Sequence, residues 1–131
     1  MKRIFTQMII VACIVLALAV VLGAFGAHWL KDALGEQGKD IWRTANQYHF
    51  YHGLGMILVL MLGRQYHFPR ILWLTAFTFF VGILFFSGSL YMLALNPDLR
   101  WLGPVTPFGG LLFIGGWCMA AIAMFSLQAK E

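Results

Sequence analysis

The chain has 131 residues, of which 61% are hydrophobic, 16% aromatic and only 11% charged, where an ordinary soluble domain carries roughly a quarter charged residues. That composition describes a membrane protein and excludes a nucleic-acid partner, so the formal charge of +4 belongs to the way the chain sits in a bilayer. Four long apolar runs leave too little chain for a separate soluble domain, and residues 1–131 read as a single integral-membrane unit.

The runs cover about 7–29, 45–62, 71–95 and 107–127, each near the roughly 20 residues that a bilayer crossing needs. All four are expected to be helices, since lipid satisfies no free backbone N–H or C=O and four spans are too few and too apolar for a closed barrel. The fold class predicted is therefore all-α, a four-transmembrane-helix antiparallel bundle.

The first run follows Lys2 and Arg3, and its small Ala24 and Gly26 give it the outline of a secretory signal. The IVAC stretch at 10–13 resembles a lipoprotein cleavage box, but the apolar segment before Cys13 is too short for that role. The run is read as an uncleaved span that His28 closes. Cys13 and Cys118 both fall inside apolar runs and read as buried free thiols.

Between the first two spans lies LKDALGEQGKDIWRT, whose charges cancel and whose weak apolar face is interrupted by Gly35 and Gly38. A short interfacial helix or two broken turns is expected there. The later connections are short, and Asn96-Pro97 signals a turn, so spans two to four are sequential antiparallel neighbours. Counting cations near the span ends gives Lys2, Arg3, Arg64, Arg70 and Lys130 against Lys31, Lys39, Arg43 and Arg100. That count favours cytoplasmic termini. Trp29, Trp42 and Trp101 on one border, with Tyr66 and Trp73 on the other, read as interfacial anchors.

The second span opens with TANQYHFYHGLG, and the third carries FSGSLY near its end. In the fourth, Thr106 is placed to cap the helix and Pro107 to occupy its first turn. Small-residue pairs, Gly23 with Ala27 and Gly116 with Ala120, suit close helix approach in lipid.

Folded up and down, the bundle brings His28, Tyr48, His49, His52, Ser87, Ser89, Tyr91 and Thr106 near one surface, with an apolar half opposite. The spacing of Ala45, His49, His52 and Met56 sets both histidines on one helix face. A shared polar pocket near the outer boundary is the expectation. Asn46, Gln47, Tyr48 and Tyr51 also suit the headgroup zone, whereas His52 lies about seven residues, or roughly 10 Å, inside the helix start, where it needs a partner such as Ser87, Tyr91 or a carbonyl.

The pattern requires no cofactor. Haem, copper or zinc on His28, His49 and His52 is an alternative, weakened because His28 sits at its helix end and a closed zinc site lacks further ligands at that depth. Proton-coupled transport lacks an intramembrane carboxylate, and nucleophilic catalysis at Ser87 or Ser89 lacks an acid to orient a histidine base. The start of the fourth helix, bordered by Arg43 and Arg100, favours an anion, a lipid headgroup or a quinone ring.

GAFGAH at 23–28, Tyr48 with His52, FSGSLY at 86–91, TPFGG at 106–110 and Gly116-Trp117 together carry a family resemblance. Over nearly its whole length the chain resembles the small four-helix membrane proteins of the YgdD and YwdK type, also called the transmembrane protein 256 family. The resemblance implies a bacterial inner-membrane protein, and it implies no activity. His28, Tyr48, His52, Ser87, Ser89, Tyr91 and Thr106 match the family pattern, while His49 stands outside it. The expected function is a non-enzymatic bundle that binds a lipid-like or quinone-like molecule, or that serves a membrane-protein partner or a second copy of itself.

Overall fold

Backbone polar groups left unpaired in hydrocarbon are costly, and the chain avoids them by winding almost entirely into helix. The computed structural model describes residues 2–30, 32–66 and 70–128. Helix α1 spans Lys2–His28 and α2 spans Gly35–Gln65. Helix α3 spans Arg70–Leu95 and contains a π-helical turn, Ile83–Ser87, in which the Gly88 N–H donates to the Ile83 carbonyl. After a 3-10 turn at Arg100–Leu102, α4 spans Val105–Gln128. No strand occurs among the described residues. The chain is an all-α membrane bundle.

Helices α1 and α3, and α4 with the turn before it, are long and apolar enough to cross a membrane. Helix α2 is the longest of the four, but the polar residues of its first half keep it from meeting the same measure.

The segment expected between the first two helices is helical, yet it is not a separate element. Gly35, with φ +57°, turns the chain, and from there α2 runs unbroken to Gln65. Gly38 does not weaken the helix as its type suggests. It lets α2 approach the end of α3, where a Cβ would stand 3.2 Å from the Ala94 carbonyl oxygen. Lys39 pairs with Glu36 at 2.8 Å and Arg43 with Asp40 at 3.2 Å along the exposed side. The hydrogen bond and charge of Lys39 hold the Glu36 carboxyl below its ordinary range. Of the cations counted for orientation, Lys31 and Lys130 lie outside the described residues.

Helix α1 packs on α2, α2 on α3, and α3 on α4. The larger core joins Phe5, Val15, Met56, Leu72, Phe79 and Phe113 among others, and a smaller one near the opposite end joins Leu34, Trp42, Ala45, Tyr91 and Ala94. At the far end of the larger core the Arg64 guanidinium lies 5.5 Å above the Phe5 ring, fastening the start of α1 to the end of α2. The hydroxyls of Thr75, Thr78 and Ser126 donate to the carbonyls of Ile71, Leu74 and Ile122 one turn back, so neither the buried Thr75 nor the outward-facing Thr78 and Ser126 carries an unpaired donor.

Two expectations are corrected. Cys13 and Cys118 are free but exposed, not buried, because a small apolar thiol sits as comfortably against lipid as in the core. Trp42 is buried rather than an interfacial anchor, while Trp29 and Trp101 are exposed.

Close approach between helices depends on missing methyl groups. A Cβ on Gly109 would collide with the Phe86 backbone nitrogen of α3, and one on Gly116 with the Phe79 ring, whereas one on Gly115 meets nothing within 4 Å. Gly109→Ala is therefore expected to lower stability by about 1–3 kcal/mol through overpacking, while Gly115→Ala leaves it unchanged or slightly raised. Thermal unfolding of both variants in detergent checks this; equal effects would mean that α4 does not touch the α3 backbone.

Candidate functional site

The buried face of α2 is the one the spacing predicts: Ala45, His49, His52 and Met56 are all buried. Its two histidines nevertheless serve different neighbours. Three residues apart, they diverge by about 60° around the helix, enough to aim one ring at α4 and the other at the end of α3.

His52 faces α4. Its ring stacks on Phe113 with centroids 3.4 Å apart and 9° between planes, and meets the edge of Phe79 at 5.3 Å. The Nδ1–H donates to the Tyr48 carbonyl at 2.8 Å, and Nε2 accepts from the Trp117 indole Nε1–H at 3.3 Å. An acceptor on one side and a donor on the other fix a neutral ring in a single tautomer, since a second ring proton would point at the indole N–H. Phe86 packs on Tyr48 at 4.6 Å and completes an aromatic cluster shared by α2, α3 and α4.

His49 belongs to a second group. The Asn46 Nδ2 amide donates to the Ala19 carbonyl of α1 at 2.7 Å and to the Tyr91 hydroxyl at 3.1 Å. The Tyr91 hydroxyl lies 3.4 Å from His49 Nδ1 and can donate to it, giving a continuous relay. Trp42 packs edge-on to Tyr91 at 4.6 Å and donates its indole N–H to the Leu22 carbonyl at 2.9 Å. Both α2-to-α1 hydrogen bonds pass over glycines: a Cβ on Gly26 would strike the Trp42 indole, and one on Gly23 would stand 2.9 Å from Asn46 Oδ1.

The remaining candidates divide further. Ser89 Oγ donates to the Phe86 carbonyl at 2.9 Å and pairs with Thr106 Oγ1 at 2.7 Å, joining the end of α3 to the start of α4. Thr106 thus lies inside the first turn of α4 and bonds across to α3 instead of capping its own helix; Pro107 occupies that first turn as expected. Ser87, within the π-helical turn, is fully buried, and its Oγ is the one buried side-chain polar atom without a hydrogen-bond partner among the described residues. His28 is exposed at the end of α1 and bonds to none of these groups.

The expectation of one shared chamber is therefore corrected. Among the described residues no hydrogen bond or ring contact joins the His52 cluster to the Tyr91 relay, and His28 belongs to neither. Both His52 nitrogens are engaged and His49 Nδ1 faces Tyr91, and no group of three or more metal-ligating side chains occurs among the described residues.

Of the open clefts beside α2, two are lined by polar residues from the 46–52 stretch. One, of about 470 Å³, lies between α2 and α4 and is lined by Tyr48, Tyr51, His52, Phe86, Phe113 and Trp117 with Gly110 and Ile114. The other lies between α1 and α2. Sequence reasoning missed Phe113, Trp117 and the bonding role of Trp42. Gly116 and Trp117 do lie three and four residues after Phe113, a stripe that marks the inner face of α4.

Replacing Trp117 by Phe leaves His52 Nε2 without a donor and is expected to lower stability by about 1 kcal/mol. If the groups are separate, His52→Ala and Tyr91→Phe are additive within about 0.5 kcal/mol, while Asn46→Ala and Tyr91→Phe couple by more than that. Double-mutant cycles on unfolding in detergent decide it, and strong coupling between His52 and Tyr91 would restore a single chamber.

Residues 22–110 match the family model described as a protein of unknown function (DUF423), a stretch that includes His49, His52, Tyr91 and Thr106 and ends before Phe113 and Trp117. The chain is 42% identical to a UPF0382 membrane protein of Staphylococcus haemolyticus over 89% of this chain and 93% of that one. It is 45% identical to one of Staphylococcus epidermidis over 81% and 84%, and 40% identical to the UPF0382 membrane protein YwdK of Bacillus subtilis over 88% and 93%. No solved structure matches. By family model and relatives alike, the chain belongs to the DUF423 (UPF0382) family of membrane proteins.

Proposed function

We propose that this protein is a multi-pass, non-enzymatic protein of the bacterial inner (plasma) membrane that binds a ring-headed, quinone-like lipid in the groove between α2 and α4. Helix α2 is the fourth crossing in this reading. Its polar side chains would make it too costly for lipid alone, but His49 and His52 are buried and bonded within protein, which lowers that cost. Both termini lie in the cytoplasm, following the five-to-four excess of Lys and Arg at that end.

The observation that carries the ligand reading is the groove itself: about 470 Å³, walled by aromatic rings and opening sideways to lipid. A flat ring gains from offset stacking on Phe86 and Phe113. Tyr48 and Tyr51 are 39% and 58% exposed at the mouth, so their hydroxyls are free to donate to a carbonyl-bearing head while an apolar tail remains in the bilayer. A membrane-protein partner or a second copy would seat on the same surface from the lipid side.

Native mass spectrometry of the protein extracted with its own lipids separates these readings. One ring lipid per chain is expected on the native protein and none on Ile114→Trp, which fills the groove from an exposed position. Finding only bulk phospholipid in membrane proportion would end the ligand reading. A protein adduct lost in the same variant would identify the groove as an interface.

A further inference from the structure

The second cleft lies between α1 and α2 and shares no residue with the aromatic groove. We infer that it is a phosphate site, occupied by the phosphodiester head of an anionic membrane lipid. About 300 Å³ in volume, it falls at the low end of small-ligand clefts. Gly23 and Gly26 form its floor, Trp42 and Asn46 its back wall, and Lys39 and Arg43 its rim.

The wall is rigid. Trp42 and Asn46 are fixed over the glycines to the Leu22 and Ala19 carbonyls at 2.9 and 2.7 Å, so the cleft beside them is not closed by a simple side-chain rotation. The rim is cationic on the cleft side, whereas the paired carboxylates do not line it: Glu36 and Asp40 are 93% and 74% exposed. Exposed ion pairs at this helical spacing contribute little to stability. Exchanging them for a phosphate in a less hydrated cleft therefore sacrifices little. Arg43 engages Asp40 through Nη1, leaving guanidinium donors for the forked contact that phosphate oxygens favour.

Depth and shape select the lipid form. The two cations stand on α2 just before the apolar run 45–62, the level at which bilayer phosphates lie. One turn below the cleft floor, Val20 is 59% exposed on α1 and offers an apolar wall for an acyl chain. The expected anion site between Arg43 and Arg100 is thereby relocated, because the cleft that Arg43 lines contains no residue of α4.

The test is thermal unfolding of the full chain in neutral detergent with added phosphatidylglycerol, phosphatidylcholine or inorganic phosphate at matched ionic strength. Phosphatidylglycerol is expected to raise Tm by about 5 °C and the other two by much less. The double variant Lys39→Gln/Arg43→Gln should unfold at the native temperature without lipid and lose at least half of the shift, while Arg100→Gln keeps it. Native mass spectrometry should count one phosphatidylglycerol retained per native chain and none on the double variant. An undiminished shift or retained lipid in the double variant overturns the site. A shift reproduced by inorganic phosphate overturns the lipid form of its occupant and leaves a free-anion site.

Discussion

Hydrocarbon offers no hydrogen bonds, so every polar side chain that α2 carries inward must find its partner within the protein. That constraint organises the molecule. His52 engages an acceptor and a donor on opposite sides of its ring, and Asn46 holds both an α1 carbonyl and the Tyr91 hydroxyl. The bonds to Ala19, Tyr91 and Trp117 draw α1, α3 and α4 against α2, and glycines stand at the tightest approaches between helices. The glycines of α1 and α4 are thus the geometric counterpart of polarity in α2: without Gly26 the Trp42 indole could not lie over α1, and without Gly109 the α4 backbone could not reach Phe86.

Satisfying α2 on two sides gives the protein two different surfaces. Toward α4 the partners are aromatic, and stacking around His52 leaves a slot open to lipid. Toward α1 the partners are main-chain carbonyls, which leave a recess beneath two cations. The first is the surface proposed for a flat, weakly polar ring and the second the one proposed for a compact anion.

Much of this architecture was legible in the residues. Hydropathy located α1, α3 and α4 to within about five positions, whereas α2 starts ten residues before its apolar run, and the spacing of Ala45, His49, His52 and Met56 identified the buried face of α2. Two features were not legible, for separable reasons. Gly35 and Gly38 have the composition of helix breakers, yet one makes the turn into α2 and the other permits contact with Ala94, a distinction set by tertiary packing. The split between His49 and His52 depends on which helix lies across from each ring, and periodicity within one helix carries no information about its neighbours. Trp42 followed the general preference of tryptophan for membrane borders, but a glycine one helix away gave it a buried site with a carbonyl to bond.

The π-helical turn at Ile83–Ser87 acts as a vernier within α3. Below it, Phe79 is set against the His52 ring; above it, Tyr91 is set against Trp42 and Asn46. An α-helix advances by about 100° per residue, so the wider turn adjusts the phase of one half of the crossing against the other. Loss of a single residue there would rotate the two halves out of step, and the bundle would have to forfeit either its aromatic stack or its amide relay.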